Sequence, residues 1–496
     1  MKKRVIMLIC LLLVVSTLVS LVGCKKDSSG EADSTAESGS TADTKDNAPK
    51  YDENGLLMDQ IGDDIKFDGK EVSIVGWKEN LYDFGISRET PITEATYYRN
   101  KTVEDRLQVN LKFDLTIAGS NAVRYEYIQA VSNRLESGES YDLIAAYSQC
   151  PASFAIQGYL ENLANHEQLA FKDSPWWSQE LVDKTMINDN IYFASGPISP
   201  SSILEMMILG VNLDMLDTLR LDDPREMVVN KTWTYEEFFK LCQGVGSDLK
   251  NDGKDVNDQF AFATSEVPVD NFAQSAGISF ISKTTDKDGK ESLILDQTFA
   301  SGTKTIDHID TLVSKFATND FYYTAEYVNP RNLLFFPTTF NGLINSRNEI
   351  KFNYGFLPYP MADTEQGRYY VNAGYTYSLW CMPTTISDDD KYCSAYVMEC
   401  MASEGYRKIQ PVIYEEAKFK LSNDSINAEC YDIIAESFTY DFGRLFCNLF
   451  EPQSAAPFFI FRYAITRPTE KPFVSQLQYF KNSINMTIAN INDCFY

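Results

Sequence analysis

Between Lys70 and Tyr147 the hydrophobic period switches repeatedly between two and about 3.6 residues, and this switching limits the fold more than any other feature. Glu71-Val72-Ser73-Ile74-Val75 reads as a strand that opens after an Asp68-Gly69 turn and ends at Gly76-Trp77. A helix is predicted over residues 94–107 and a strand over 109–115. The next helix, 122–137, puts Val123, Tyr127, Val131 and Leu135 on one face and stops at Gly138. Tyr141 to Tyr147 carries little polarity, as a parallel strand covered on both faces does. Strand and helix in alternation predict an α/β lobe.

A hairpin is expected over 183–195, turning at Asn188-Asp189-Asn190, and Gly196-Pro197-Ile198-Ser199-Pro200 breaks the pattern where a crossover would run. A second α/β region follows. Its clearest helix opens at Thr234 with Glu237 three residues on, the pattern of a capping box. Asp286-Lys287-Asp288-Gly289 predicts a hairpin turn, and 305–316 a helix with Ile306, Ile309, Leu312 and Val313 inward. The C-terminal helix, 474–491, is amphipathic through Leu477, Phe480, Ile484, Ile488 and Ile491.

Ahead of the fold stands a different kind of segment. Met1-Lys2-Lys3-Arg4 is followed by an apolar run ending Leu21-Val22-Gly23-Cys24, the layout of an export signal. Its end resembles a bacterial lipobox, which implies that the Cys24 thiol takes a diacylglycerol and that the residue, a lipid anchor with palmitate among its acyl groups, becomes the mature N-terminus. An uncut signal-anchor is the alternative, since about eighteen apolar residues span a bilayer. From Lys25 to about Lys50 there is almost nothing to bury, and a tether of that length spans roughly 25–30 Å. The expected organisation is a signal peptide over 1–23 and a lipid-anchored Cys and linker over 24–66. One lobe is expected from 67–197 plus 372–420, the other from 198–371 plus 421–496. The expected location is the extracytoplasmic face of the cell membrane, held there by the lipid.

The balance of charge, 70 acidic against 44 basic residues, argues against nucleic-acid binding. There are two histidines, His166 and His308, in no metal-ligand spacing. No Walker loop, G-x-S-x-G or dinucleotide fingerprint is present, so neither a cofactor nor a metal is expected. Asp248 to Gln259 has a faint likeness to a calcium loop, with Lys250 at a ligand position and Gln259 in place of the closing Glu. A polar turn accounts for it better. Cysteines 150, 242, 381, 393, 400, 430, 447 and 494 show no disulfide framework and are expected mostly as buried thiols. Of the tryptophans, Trp233 reads as core. Trp77 lies just past the end of the first strand, and Tyr147 ends another. Ligands of open α/β sheets bind beyond such ends, so both are candidate ligand contacts.

These features, taken in order, resemble the family-1 extracellular solute-binding lipoproteins of ABC importers, similar in fold to maltodextrin-binding protein. The likeness covers about residues 70–443. It is carried by Gly138-x-x-x-Asp142-Leu143-Ile144, Gly158-Tyr159-Leu160-Glu161-Asn162-Leu163, Pro175-Trp176-Trp177 and Thr232-Trp233-Thr234. It continues through Tyr354-Gly355-Phe356-Leu357-Pro358-Tyr359-Pro360, Met382-Pro383, Glu399, Pro411-x-x-Tyr414-Glu415 and Asp424-Ser425. Two places depart from the family pattern: Asn372-Ala373-Gly374-Tyr375 replaces a Gly-Gly, and Met361 replaces a Lys. The resemblance implies a two-lobed, periplasmic-binding-protein-like α/β fold (type II) with the ligand cleft between the lobes. It implies crossings near 197–202, 372–375 and 421–432, which makes Tyr375 a third candidate contact. The implied partners are a small-molecule ligand, a sugar or oligosaccharide, and a membrane ABC permease, with the receptor a monomer and not an enzyme. The alternatives are a surface enzyme acting on polysaccharide and a sensory or adhesive lipoprotein on the same fold.

Overall fold

The computed structural model describes residues 49–495 apart from 80–81, 118–122, 173 and 422–423. The signal segment, Cys24 and the tether up to residue 48 lie outside the described residues. Two sheets organise the rest. The first is built from β1 (Lys70–Val75), β2 (Val109–Asp114), β3 (Leu143–Tyr147) and β12 (Ser378–Cys381), in the order β12-β3-β1-β2. β1 runs parallel to both β2 and β3, as the intervening helices Pro91–Leu107 and Arg124–Glu136 require. All five residues of β3 are buried, which is why its sequence carries no alternation. β12 arrives from much later in the chain and pairs antiparallel with β3.

The second sheet takes β4 (Met207–Asn212), β5 (Phe260–Thr264), β8 (Phe321–Tyr323), β9 (Leu333–Thr339) and β10 (Tyr354–Leu357), in the order β10-β4-β9-β5-β8. β5 is parallel to β8 and β9, while β4 is antiparallel to β9 and β10. Trp233 and Phe238 pack on Phe335 of this sheet, and the Trp233 indole N–H donates to the Pro358 carbonyl at 3.0 Å. β6 (Ile281–Thr285) and β7 (Glu291–Leu295) form the hairpin expected at Asp286–Gly289. Between the two sheets lies a short parallel pair, β11 (Val371–Asn372) with β13 (Phe438–Thr439). The chain passes from the first sheet to the second before β4 and returns through β11 to β12. No helix among the described residues is long and apolar enough to cross a membrane.

Local expectations failed where another partner was available. Thr234 does cap the Tyr235–Cys242 helix through its backbone, but its side chain makes no capping bond, and Glu237 pairs with Lys240 at 2.9 Å. The capping box is found instead at Thr90 and Thr93, ahead of Pro91–Leu107. The expected 183–195 hairpin reduces to a tight turn bridging Ile187 and Asn190, with Asn188 and Asp189 at φ 50° and 60°; a helix, Gln179–Thr185, occupies the strand before it. Residues 49–66, assigned to the linker by composition, are ordered. Asp59 is buried there and pairs with Arg106 at 2.6 Å and Arg407 at 3.4 Å. Burial raises the Asp59 pKa, but the two guanidiniums outweigh it and hold the carboxyl below its ordinary value. Asp248 accepts the backbone N–H groups of Lys250, Asp252 and Gly253, so the calcium-like loop is a turn closed on itself.

Candidate functional site

Polar side chains converge where β11 and β13 join the two sheets. The Glu266–Ser275 helix brings Asp270 and Gln274 to this junction, and the Pro457–Thr466 helix packed against it brings Arg462. Asp270 is fully buried. Its Oδ1 accepts from Arg462 Nε at 2.8 Å, and its Oδ2 accepts from Arg462 Nη2 at 2.5 Å, the Tyr375 hydroxyl at 2.9 Å and Arg444 Nη1 at 3.3 Å. The Arg444 guanidinium lies 4.4 Å from the Tyr375 ring centre. This cluster fixes Tyr375 from below, while Ser148 at the end of β3 donates to the Tyr375 carbonyl at 2.7 Å.

A cavity of about 20 Å³ opens above the cluster, lined by residues that include Ser148, Gln274, Asn372, Tyr375, Asp441 and Arg444. That is room for about one water. Gln274 is 5% exposed, and among the described residues neither its amide oxygen nor its amide nitrogen has a hydrogen-bond partner; the Asn372 Nδ2, on a side chain 4% exposed, also has none. A buried amide left unpaired costs about 1–3 kcal/mol, so each such group calls for a partner, whether a water or a solute. The cavity adjoins an outer chamber of about 260 Å³ that shares Gln274 and Asp441 and adds Glu180, Lys184, Arg368 and Tyr370. Burial pushes the Asp441 carboxyl above its ordinary pKa.

A larger cavity, about 590 Å³, lies on the second sheet alone, between the Phe340–Ser346 helix and the segment around Tyr327. None of its lining side chains is a buried polar group without a partner. The junction, with its convergent unpaired donors and acceptors, is therefore the stronger candidate.

Of the three residues singled out in the sequence, only Tyr375 lines the junction cavity. Trp77 and Tyr147 are at the strand ends expected, but β12 covers them. Trp77 is 1% exposed, its indole N–H donates to Ser378 Oγ at 2.8 Å, and its ring meets Tyr147 edge-on at 5.2 Å. Neither ring lines the cavity, because the added antiparallel strand turns that sheet end into core. Asp270, Gln274, Arg444 and Arg462 were not singled out. Arg462 did carry a signal: it stands between Phe458-Phe459-Ile460-Phe461 and Tyr463-Ala464-Ile465, and a charge in such a run needs a buried partner.

No protein-family model matches the sequence, and no curated protein matches it. Solved structures do match in shape. The cyclic α-maltosyl-1,6-maltose binding protein from Arthrobacter globiformis is 13% identical, with a TM-score of 0.57 over 85% of this chain and 100% of that one. UgpB from Mycobacterium tuberculosis, in complex with glycerophosphocholine, is 12% identical, with a TM-score of 0.54 over 85% and 98%. The chain has the two-lobed, type II periplasmic-binding-protein-like fold. An ABC transporter solute-binding protein from Agrobacterium radiobacter K84, in complex with ribitol, is similar over 85% of this chain at 12% identity and a TM-score of 0.50. In this two-lobed fold the two sheets are the cores of the lobes, and the unpaired amides of Gln274 and Asn372 lie at the crossing between them.

Proposed function

We propose that this chain is an extracytoplasmic solute receptor that captures a sugar or oligosaccharide between its lobes and delivers it to an ABC permease. The observation that carries this reading is the buried Gln274 amide, with neither its oxygen nor its nitrogen paired, beside the unpaired Asn372 Nδ2 at the interlobe cavity. Hydroxyl groups both donate and accept, so a sugar satisfies such groups together. Tyr375 supplies a ring at the same place. The solved structures of similar fold are proteins named for, or bound to, cyclic maltosyl-maltose, glycerophosphocholine and ribitol, which favours capture over catalysis. The lobes are taken as 67–197 plus 372–420 and 198–371 plus 421–496, with the ordered 49–66 segment added to the first. The receptor works as a monomer, held to the membrane by lipid on Cys24.

A thermal-shift screen of the purified protein against sugars, oligosaccharides, amino acids and peptides tests the solute class. A solute at a hundred times its dissociation constant adds roughly 2.7 kcal/mol of stability. Shifts with sugars are expected; a clear peptide shift with no sugar shift contradicts the reading. For the anchor, Cys24→Ser is expected to release the protein from the membrane fraction or leave it unprocessed. Processed protein that stays in the membrane fraction despite the substitution argues against lipidation.

A further inference from the structure

The interlobe cavity and its outer chamber together carry one more cation than carboxylate, in a chain that is strongly anionic. The whole sequence carries a formal charge of −26, yet the charged residues lining the cavity and its outer chamber are Arg444, Lys184 and Arg368 against Asp441 and Glu180. Most of these charges are already matched. Lys184 pairs with Glu180 at 3.1 Å. Asp441 makes no ion pair among the described residues; its two oxygens accept the backbone N–H groups of Phe280 and Arg444, each at 3.0 Å, and Lys184 and Arg444 act on it at longer range. Asp270, beneath the cavity, is bound through both oxygens by Arg462.

Arg444 is the cation left over. It is 6% exposed, and among the described residues its guanidinium makes a single hydrogen bond, the 3.3 Å contact to an Asp270 oxygen already shared with Arg462 and Tyr375. The Tyr375 face holds the guanidinium plane from one side at 4.4 Å. A buried guanidinium has five N–H donors and stays charged, so it is costly to bury without a full set of acceptors. Next to it, the amide nitrogens of Gln274 and Asn372 add further unmatched donors. Against the guanidinium and these nitrogens stands one unmatched amide acceptor among the described lining residues, Gln274 Oε1, so donors outnumber acceptors, and the acceptor that suits the guanidinium is planar and anionic: a carboxylate meets such a fork through two parallel bonds.

We propose that the solute taken at this site is a sugar acid, a uronate or an oligosaccharide containing one, whose carboxylate pairs with Arg444 while its hydroxyls meet Gln274 and Asn372. The proposal rests on the sugar-receptor reading above and narrows it. At the chamber mouth, Arg368 stacks on Tyr370 at 4.7 Å and makes no ion pair among the described residues, so a cation also stands where such a solute would enter.

Calorimetric titration of the intact chain tests this with matched probes: glucuronate and galacturonate mono- to trisaccharides, the methyl ester of each, the corresponding neutral sugars and their phosphates. The free acid is expected to bind roughly tenfold to a hundredfold more tightly than its ester. That margin is expected to shrink with added salt and to vanish in Arg444→Gln. The acid–ester comparison in the unaltered protein stands alone if the variant does not fold. An ester or neutral sugar bound as tightly as the acid overturns the proposal and leaves the sugar-receptor reading intact. Preference for a sugar phosphate overturns the carboxylate assignment. No binding of any sugar or sugar acid overturns both.

Discussion

Glu399 is a carboxyl with donors on three sides and no cation beside it among the described residues. The indole N–H groups of Trp176 and Trp177 donate to its two oxygens at 2.9 and 2.8 Å, and the Ala170 N–H approaches at 3.3 Å. Burial raises its pKa from 4.5 to about 7 in spite of these bonds. The folded form therefore holds a proton more tightly than the unfolded chain. Stability from this group is present at low pH, falls between about pH 4.5 and 7, and is flat above. The fall is on the order of 3 kcal/mol. His308, whose burial lowers its pKa to about 4, works in the opposite direction by favouring the folded state less as pH drops below 6.5. Urea unfolding of the protein and of Glu399→Gln across pH 4.5–8 separates the two. The variant is expected to show a shallower downward slope, the remainder coming from other buried carboxyls such as Asp441, and equal slopes in both would exclude this role for Glu399. Trp176, Trp177 and Glu399 are each visible in the sequence as parts of separate motifs. That they meet is not, because the tryptophans and the carboxyl are more than 200 residues apart and no periodicity joins them.

At the scale of elements, what the sequence revealed was set by local physics. β1 to β3 and the two helices between them follow from hydrophobic period alone, and so does the 281–295 hairpin, fixed by its Asp-Gly turn. The Phe473–Asp493 helix buries Phe480, Ile484, Ile488 and Ile491 as its spacing required. Gly355 in β10 is needed because a Cβ there would meet Arg225 Cδ at 2.7 Å and Asn427 Oδ1 at 2.8 Å. β12 was not foreseen as a member of the first sheet, and that one strand decides the fate of Trp77 and Tyr147. An edge strand from 230 residues later leaves no mark in the segment it covers. The candidate site was legible only in part for the same reason. Tyr375 was reached through the crossing, whereas Asp270 and Arg462 are 192 residues apart and are recognisable as a pair only once their helices pack.

For the whole molecule, the central point is the state of the cleft. The 20 Å³ cavity is too small for a sugar and its adjoining chamber is about 260 Å³; under the proposed function the lobes part to admit the solute, flexing at the crossings near 197–202, 372–375 and 421–432. Under the proposed function, a solute that supplies partners to the amides at the cavity favours the form in which they are buried. Gln274→Met keeps the volume of that side chain and removes both unpaired atoms. The most direct measurement is therefore a paired one, the melting temperature of the unliganded Gln274→Met variant and its affinity for the solute found by screening. The expected result is unchanged or higher unliganded stability with affinity reduced about tenfold or more. Undiminished affinity would show that the solute is bound elsewhere, and would turn attention to the 590 Å³ cavity on the second lobe.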